Sequence, residues 1–221
     1  MKLVSKDAAI AAIRVVPDEV KPLSGYHIPA LLRGVAERYE LAKSPSVEET
    51  NTTGAKFQHG RLIAKKREIS ISELGIYNDA IAATTTDTSD SEVVVDDLYG
   101  WLKEHFGFRE PTTKPVRAFQ SDLIAELDND PDKAFKSFAP LIRLLQKEAE
   151  SINGINKQVQ FGRIDFGSDP SISGPTALFV VERRGGVPWI SNRYFCKAYM
   201  RTEAHIRALE LLDELLGSGK G

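Results

Sequence analysis

The stretch Phe179–Met200, FVVERRGGVPWISNRYFCKAYM, is typical of two strands joined by a turn. The apolar run at its start belongs to a segment, Thr176–Arg184, that we expect to form a strand. A glycine pair and a proline follow, and these residues most often interrupt regular structure. The sequence therefore predicts a hairpin whose first strand, apolar on both faces at its start, lies centrally in a sheet.

The second strand of this hairpin carries different kinds of side chain on its two faces. Four apolar or small residues share one parity, namely Tyr194, Cys196, Ala198 and Met200. The other parity alternates basic and aromatic residues, namely Arg193, Phe195, Lys197, Tyr199 and Arg201. Since successive side chains of a strand point to opposite faces, we expect the first set in the core and the second facing outward. The opposite register would bury three cations at a large cost in free energy.

The outward face predicts a local excess of positive charge. Between Glu182 and Arg201 there are five basic residues and one acid, a net charge of +4, whereas the whole chain carries −2. Aromatic rings beside cations suit the docking of an acidic protein partner, or stacking on unpaired nucleic-acid bases with phosphate contacts. The candidate binding residues are Arg183, Arg184, Trp189, Arg193, Phe195, Lys197, Tyr199 and Arg201.

A structural interpretation of the same face stays open. Phe195 and Tyr199 also fit under the last helix, with the basic side chains reaching water around them. Trp189 follows the glycine pair and fits either a projecting loop or a ring folded back over its own hairpin. Exposure of these aromatic rings therefore decides between a recognition surface and a hairpin with solvated charges.

Composition is typical of a folded, soluble protein. The 221 residues suffice for one large domain or two small ones, with 42% hydrophobic and 27% charged residues. Cys196 is the only cysteine, which excludes an intrachain disulfide and favours a reducing compartment, so we expect a cytoplasmic location. Charged residues interrupt the N-terminal apolar segment, and no uncharged run has the length of a membrane-spanning helix. We therefore expect no membrane association.

Hydrophobic periodicity predicts helices and strands in the first half of the chain. Apolar residues at helical spacing predict a helix over Pro29–Ala42, and the polar stretch Lys43–Lys56 is typical of a loop. Alternating residues over Phe57–Thr86 predict two or three antiparallel strands.

A helix that starts at a capping box should follow these strands. Ser89 and Glu92 have the spacing at which each side chain bonds the other's backbone amide. The apolar stripe of this helix would be Val94, Leu98, Trp101, Leu102 and His105. Gly107 supplies the left-handed conformation that commonly ends a helix.

The second half of the chain shows a comparable succession. Ser121–Leu127 fits a strand better than a helix, and Pro131–Ile152 predicts a helix that Pro140 kinks or splits. A strand around Gly162 needs a bulge to place its apolar residues on one face. Thr202 can cap a last helix. The inward side of that helix would be Ile206, Leu209, Leu212 and Leu216.

These elements predict an α+β fold, a largely antiparallel sheet with amphipathic helices packed on one side. Both halves end in strands followed by an amphipathic helix, which gives the hypothesis of two similar strand-then-helix units. The proline-containing stretch Arg109–Arg117 predicts a boundary between an N-terminal α+β half, 1–110, and a C-terminal α+β half, 111–221. One single domain that contains both halves stays the alternative.

Familiar catalytic and cofactor motifs are missing from the sequence. The four histidines lack the close spacing of a zinc site, and His205 is expected at the surface of the last helix. Cys196 lies among apolar neighbours rather than beside a base. Three aspartates at 128, 130 and 132 resemble a calcium loop, but Lys133 replaces its glycine, so a helix cap at Asp130 is the better interpretation. The final GSGKG follows a helix, so we interpret it as a tail rather than a phosphate loop. We expect neither metal nor cofactor.

Three functional hypotheses follow. The first is a non-catalytic cytoplasmic protein-interaction or assembly subunit that uses the basic and aromatic strand face to bind a protein partner or a second copy. The alternative is a nucleic-acid-binding protein that uses the same face. The third is a hydrolase whose catalytic residues converge from distant positions.

Overall fold

The computed structural model describes residues 1–15, 17–23, 25–64, 66–153, 159–169, 171 and 177–218. These residues form an α+β fold whose strands pair in antiparallel registers. The chain divides into two compact units. The first unit comprises Lys6–Asp122 and Tyr199–Thr202, and the second unit comprises Met1–Ser5, Leu123–Ala198 and Glu203–Gly221.

Regular elements of the first half begin with a strand and end with a long helix. They are β1 (Lys2–Arg14), α1 (Pro17–Val20), α2 (Ile28–Arg38), α3 (Val47–Thr53), β2 (Ala55–Ala64), β3 (Arg67–Ile76), β4 (Ala80–Thr85) and α4 (Thr88–Phe106). In the second half they are β5 (Val116–Glu126), α5 (Pro131–Ala134), α6 (Ala139–Asn153), β6 (Arg163–Gly167), β7 (Ala177–Arg183), β8 (Arg193–Ala198) and α7 (Thr202–Ser218). Short 3-10 turns cover Lys136–Phe138 and Trp189–Ser191.

The two halves repeat one topology. Each runs as a strand, short helical segments, three strands and a long helix. Hydrogen bonding orders the strands β2-β3-β4-β1 in the first half and β6-β7-β8-β5 in the second, so the first strand of each half joins its fourth. The expected α+β class and the two similar strand-then-helix units are therefore confirmed.

The first unit has a continuous apolar core between its helices and its strands. Leu31 and Val35 of α2, Phe57 of β2, Leu74 of β3 and Leu98 of α4 are buried together in it. The helix predicted over Pro29–Ala42 and the strands predicted over Phe57–Thr86 supply most of these residues, because their hydrophobic periods match the elements that form. Helix α2 thus contributes Leu31, Leu32 and Val35 to the core.

Helix α4 confirms the predicted stripe but begins differently. Val94, Leu98, Trp101 and Leu102 are buried, whereas His105 is exposed in the last turn. Gly107 ends the helix in the left-handed conformation, with φ of 66°. The predicted capping box at Ser89 is wrong, because Asp87 is the N-cap and its carboxylate accepts a hydrogen bond from the backbone N–H of Ser89 at 3.0 Å.

Thr88 and Thr202 cap one another at the first residues of α4 and α7. The backbone N–H of Thr88 donates to Oγ1 of Thr202 at 3.0 Å, and the N–H of Thr202 donates to Oγ1 of Thr88 at 2.8 Å. Both side chains are buried. Each threonine thereby satisfies a helix N-terminal donor that would otherwise lack an intrahelical partner.

Two elements of the first half were not expected from the sequence. Helix α3 lies inside the stretch interpreted as a loop, and a capping box starts it: Ser46 Oγ accepts from Glu49 N at 3.2 Å, and Glu49 Oε2 accepts from Ser46 N at 2.7 Å. Strand β1 contains many alanines, which are depleted in strands. Its Ala9, Ala11 and Ile13 are nevertheless buried, because they pair with β4 over the core.

The second unit confirms the predicted parity of the hairpin. Tyr194, Cys196 and Ala198 of β8 are buried, and Phe179 of β7 lies opposite Ala198 on the same face. His205 of α7 contacts that face edge-on, with 5.7 Å between its ring centroid and that of Phe179. The expectation that His205 lies at the surface is therefore wrong, since the ring belongs to the buried side of α7.

Helical structure after β5 is split, as Pro140 predicted. Asp130 caps α5 by accepting a hydrogen bond from Asp132 N at 3.1 Å, and an irregular turn separates α5 from α6. Pro140 lies in the first turn of α6, where its missing N–H has no intrahelical acceptor to lose. The cap predicted at Asp130 is confirmed.

Strand β6 differs from its prediction in the position of the bulge. The irregularity lies between Phe166 and Gly167 rather than near Gly162, which precedes the strand. Thr176, predicted to start β7, lies outside the described residues, as do residues 154–158. The same holds for residues 219–221 of the segment interpreted as a tail.

Candidate interaction surface

The outer face of β8 carries the basic and aromatic residues that the alternation predicted. Arg193, Phe195 and Lys197 are partly buried and alternate with fully buried neighbours. Glu182 of β7 lies opposite Phe195, and the backbone N–H of Arg184 donates to the carbonyl oxygen of Arg193 at 3.0 Å. The second unit thus brings Arg184, Arg193, Phe195 and Lys197 onto neighbouring strand positions.

The charge of Arg193 is compensated by an acid from β5. Its guanidinium donates to Glu126 Oε1 at 3.0 and 2.5 Å, and Lys2 Nζ lies 3.6 Å from the other carboxylate oxygen. The hydrogen bond from Arg193 holds the pKa of Glu126 below its ordinary value. Lys2 and Arg193 therefore share one carboxylate, and the face is less positive than the sequence count indicated.

Arg183 is an internal residue of the second unit. Its side chain is only 7% exposed and forms ion pairs with Asp132 at 2.9 Å and Asp130 at 3.4 Å. It also donates to the carbonyl oxygens of Phe161 and Trp189 at 3.0 and 3.1 Å. Its guanidinium carbon lies 5.2 Å from the ring centroid of Trp189. Arg183 therefore positions Trp189 rather than facing a ligand.

Tyr199 and Arg201 belong to the first unit, so the row of five alternating residues is divided between the two units. The Arg201 guanidinium donates to both carboxylate oxygens of Glu92 at 2.6 and 3.0 Å and lies 4.1 Å from the ring centroid of Phe119. Arg117 donates to the same carboxylate at 3.0 Å. Tyr199 is 40% exposed.

Acids from distant positions thus compensate three of the candidate arginines. The acids that pair with Arg183, Arg193 and Arg201 lie 51 to 109 positions earlier in the chain. A charge count over a short stretch of sequence does not include these acids, because they belong to other elements. The outer face of β8 therefore carries the paired charge of Arg193 beside the partly buried ring of Phe195.

A second surface, the α6 stripe, exposes more apolar area than the strand face. It consists of Phe138, Leu141, Leu144 and Leu145, whose residues are 46%, 50%, 55% and 48% exposed. Phe138, Leu141 and Leu145 recur at spacings of three and four residues, so they follow one another along one side of the helix. The sequence predicted a helix over Pro131–Ile152 but not the exposure of its apolar side.

The contrast with α2 makes the exposure of the α6 stripe informative. Both helices lie between the first and second strands of their halves. The corresponding leucines of α2, Leu31 and Leu32, are buried in the core of the first unit. An amphipathic helix gains most of its stability by burying its apolar side, so a stripe left half-exposed over four large residues is typical of an interaction site.

Charges of both signs accompany the α6 stripe. Helix α6 carries Arg143 and Lys147 but also Glu148 and Glu150, so its formal net charge is zero. At 100° per residue, Glu148 lies within the stripe, whereas Arg143 lies on the far side of the helix from Leu141. The stripe is therefore an apolar surface without an excess of positive charge.

The described residues contain no cluster of metal ligands, and their one cysteine is buried. No group of three or more His, Cys, Asp or Glu side chains among the described residues could hold a metal ion. Burial raises the pKa of the Cys196 thiol to about 12. Among the helices of the described residues, none is long and apolar enough to span a membrane.

Comparison with known proteins gives a limited result. No protein-family model matches the chain. No curated protein matches it either. Among solved structures, Methanococcus jannaschii TBP is similar over 97% of this chain and 98% of its own, with 16% sequence identity and a TM-score of 0.45. A similarity of this degree supports no conclusion about function.

Proposed function

We propose that this protein is a non-catalytic interaction or assembly subunit that binds a protein partner through the α6 stripe. The single observation that carries the proposal is the half-exposure of Leu141, Leu144 and Leu145, in a topological position where α2 is buried. The outer face of β8, with Phe195, is a further candidate contact area on the same unit.

Burial of the α6 stripe against a partner would make a modest amount of free energy available for binding. Burial of one large apolar side chain is worth about 1.5–3 kcal/mol, so four half-exposed side chains leave about 3–6 kcal/mol for a partner. Association itself costs several kcal/mol in lost motional freedom. The stripe therefore needs support from a further contact area, for which the outer face of β8 is the candidate.

Nucleic-acid binding through the outer face of β8 remains the alternative proposal. Phe195 lies between Arg193 and Lys197 on that face, an arrangement that suits base stacking with phosphate contacts. The ion pair of Arg193 with Glu126 weighs against it, because the acid must be displaced before a phosphate can bind.

Affinity capture with matched variants tests the proposed function. The wild type, a Leu141→Glu/Leu145→Glu variant and an Ile63→Glu control would each capture proteins from an extract of the source cells. Ile63 is 67% exposed on β2, so the control removes exposed apolar area elsewhere. We expect the wild type and the control to retain the same partner, which is either another protein or a second, differently tagged copy of this chain. The α6 variant should lose that partner. Equal retention by all three, or no retained protein, would refute the proposal.

A further inference from the structure

Strand β6 is the last strand in the order β5-β8-β7-β6, and no described residue pairs with its outer side. Strand β2 holds the corresponding position in the first half, but the chain that follows α2 covers it. The backbone N–H of Arg61 donates to the carbonyl oxygen of Tyr39 at 2.8 Å. On the same edge, the N–H of Ala42 donates to the carbonyl oxygen of His59 at 2.9 Å. Strand β6 lacks such a cover among the described residues, and an uncovered edge is a template for pairing with another strand.

The hydrogen bonds between β6 and β7 show which backbone groups of β6 point outward. The N–H of Arg183 donates to the carbonyl oxygen of Gly162 at 2.9 Å, and the register stays regular from this pair to the bulge. Hydrogen-bonded positions alternate along an antiparallel pair, so Gly162 and Ile164 direct their backbone groups to β7. The N–H and C=O groups of Arg163 and Asp165 therefore point away from β7.

A copy of the same edge can pair with these groups in one favourable register. Antiparallel pairing brings outward-pointing residues of one strand opposite outward-pointing residues of the other. If Arg163 met Arg163, or Asp165 met Asp165, like charges would lie directly opposite each other, which is destabilising. The remaining register places Arg163 opposite Asp165 twice, with Ile164 opposite Ile164 at the centre. The edge is thus complementary to itself.

Side chains on both faces of β6 fit this register. On one face, Arg163 forms an ion pair with Asp165 of its own strand at 2.7 Å, and both side chains are exposed. In the pair of strands, each arginine would lie between two aspartates. On the other face Phe166, 57% exposed, would lie opposite Gly162 of the second copy. Apart from chain neighbours, no described atom lies within 4 Å of the place of a Cβ at Gly162, so the ring has space there.

We infer that two copies of this chain associate through β6, in an antiparallel pair centred on Ile164. The outward N–H and C=O groups of Arg163 and Asp165 then form about four hydrogen bonds between the copies. Both copies use the same residues, so the contact closes as a two-fold dimer. The inference goes beyond the proposed function, because it involves none of the residues of the α6 stripe.

Charge exchange between the two residues tests the pairing in purified protein. The variants are Arg163→Asp, Asp165→Arg and the exchange variant Arg163→Asp/Asp165→Arg. The matched control is Arg14→Asp, which reverses an exposed, ion-paired arginine of β1. Exposed charges contribute little to folding stability, so all variants should remain folded, as circular dichroism can verify. Light scattering after size exclusion, at several protein concentrations, measures the self-association constant.

We expect the wild type and the control to form dimers that dissociate on dilution, because a strand of five residues buries little area. Each single variant places like charges opposite each other and should dimerise about tenfold more weakly or worse. The exchange variant restores unlike pairs and should recover most of the affinity, and a mixture of the two single variants should form a mixed dimer. A wild type that stays monomeric at all concentrations, or an exchange variant without recovery, would overturn the inference.

Hydrogen exchange resolved by residue provides a readout of the backbone pairing itself. The N–H groups of Arg163 and Asp165 should exchange at least about tenfold more slowly in the dimer than in the dilute monomer. Those of Ile164 and Phe166 face β7 and should be protected in both states. Equal exchange of the two outward groups in both states would contradict strand pairing. If the wild type is monomeric and a captured protein protects them instead, the edge binds a foreign strand and the inference fails.

The outcome can be separated from that of the proposed function. The Leu141→Glu/Leu145→Glu variant leaves β6 unchanged, so it should dimerise like the wild type. If that variant is monomeric, the copies meet at the α6 stripe, and the inference fails while the proposed function stands. If the dimer forms but no captured partner depends on the α6 stripe, the proposed function fails while the inference stands.

Discussion

Cys196 lies in the core of the second unit, and burial decides its chemistry. Burial raises the pKa of the thiol to about 12, so the reactive thiolate is scarce at neutral pH. We expect native protein to react with a chromogenic thiol reagent only at the rate of unfolding, and protein in concentrated urea to react at once. The measurement is absorbance against time in both conditions. Rapid, stoichiometric reaction of native protein would contradict the described burial.

Glu92 illustrates a carboxylate whose ion pairs contribute stability over a defined pH range. Hydrogen bonds from Arg201 hold its pKa below the ordinary value of 4.5, and Arg117 acts in the same direction. A carboxylate with a depressed folded-state pKa stabilises the protein above its unfolded pKa, and that stability is lost as pH falls through the folded value.

Replacement of Glu92 by Gln should therefore destabilise the protein at pH 7, and the difference from the wild type should shrink below about pH 4.5. Urea unfolding at a series of pH values measures this difference. Glu104→Gln is a suitable control, since the Glu104 side chain is 77% exposed. A difference that stays constant down to pH 3, about 1.5 units below the ordinary pKa, would contradict the assigned ion pairs.

At the residue scale, the sequence predicted the burial of Cys196 but neither the burial of His205 nor the ion pairs of the arginines. The inward side of Cys196 follows from alternation within six residues, because a strand has a period of two. The burial of His205 depends on Phe179 of β7, and the pairing of Arg183 depends on Asp132 of α5, and no local pattern specifies either contact. These contacts between elements could therefore not be predicted, although the sequence analysis had named both His205 and Arg183.

At the scale of elements, Gly34 of α2 and Trp101 of α4 make a close contact. A Cβ atom at Gly34 would lie 2.9 Å from Cη2 of Trp101, so the absence of a side chain allows the indole to approach α2. Phe106 adds a second ring 5.2 Å from Trp101. The contact depends on both a glycine and a large aromatic residue.

Trp101→Ala should lower the free energy of unfolding by about 3–5 kcal/mol, because it removes this contact and leaves a cavity. Chemical denaturation followed by circular dichroism measures the loss. Trp189→Ala is the matched control, since Trp189 is 39% exposed and its removal should cost clearly less. Similar losses for the two variants would show that Trp101 does not have its assigned role in the core.

Element types were predicted better than element boundaries. The stripe of α4 follows from a helical period over several turns, which is a strong signal. Its cap was misplaced, because both Asp87 and Ser89 are residue types that cap helices. Ser46 and Glu49 form a capping box inside the stretch Lys43–Lys56, which had been interpreted as a loop. Strand β1 was not predicted, because alanine is depleted in strands and this segment is a strand through its pairing with β4.

At the scale of the whole molecule, the hydrogen bonding between strands reveals that the two halves share one topology. The strand orders of the two halves correspond, although the leucines of α2 are buried and those of α6 are exposed. Pairing between the first and fourth strands of each half joins residues far apart in sequence. A pattern of local periods cannot specify such pairing, so the sequence supported two similar units only as a hypothesis.

The charge distribution of the whole molecule predicts weak binding to nucleic acid. The chain carries a net charge of −2, and Arg183, Arg193 and Arg201 have acidic partners. We expect single-stranded oligonucleotides to bind with a dissociation constant no lower than about 10⁻⁴ M at physiological salt. Fluorescence anisotropy over a range of salt concentrations measures this. Micromolar binding that weakens in a Lys197→Glu variant would favour the nucleic-acid alternative.

The reciprocal cap between Thr88 and Thr202 has a consequence for synthesis of the chain on the ribosome. The two residues are 114 positions apart, and translation adds roughly 5–20 residues per second, so roughly 6–23 s pass between them. During that interval the N-terminus of α4 lacks its native acceptor. Nearly all of the first unit precedes residue 123, yet Tyr199–Thr202 also belongs to it. The part of the protein made first therefore completes its native contacts among the last.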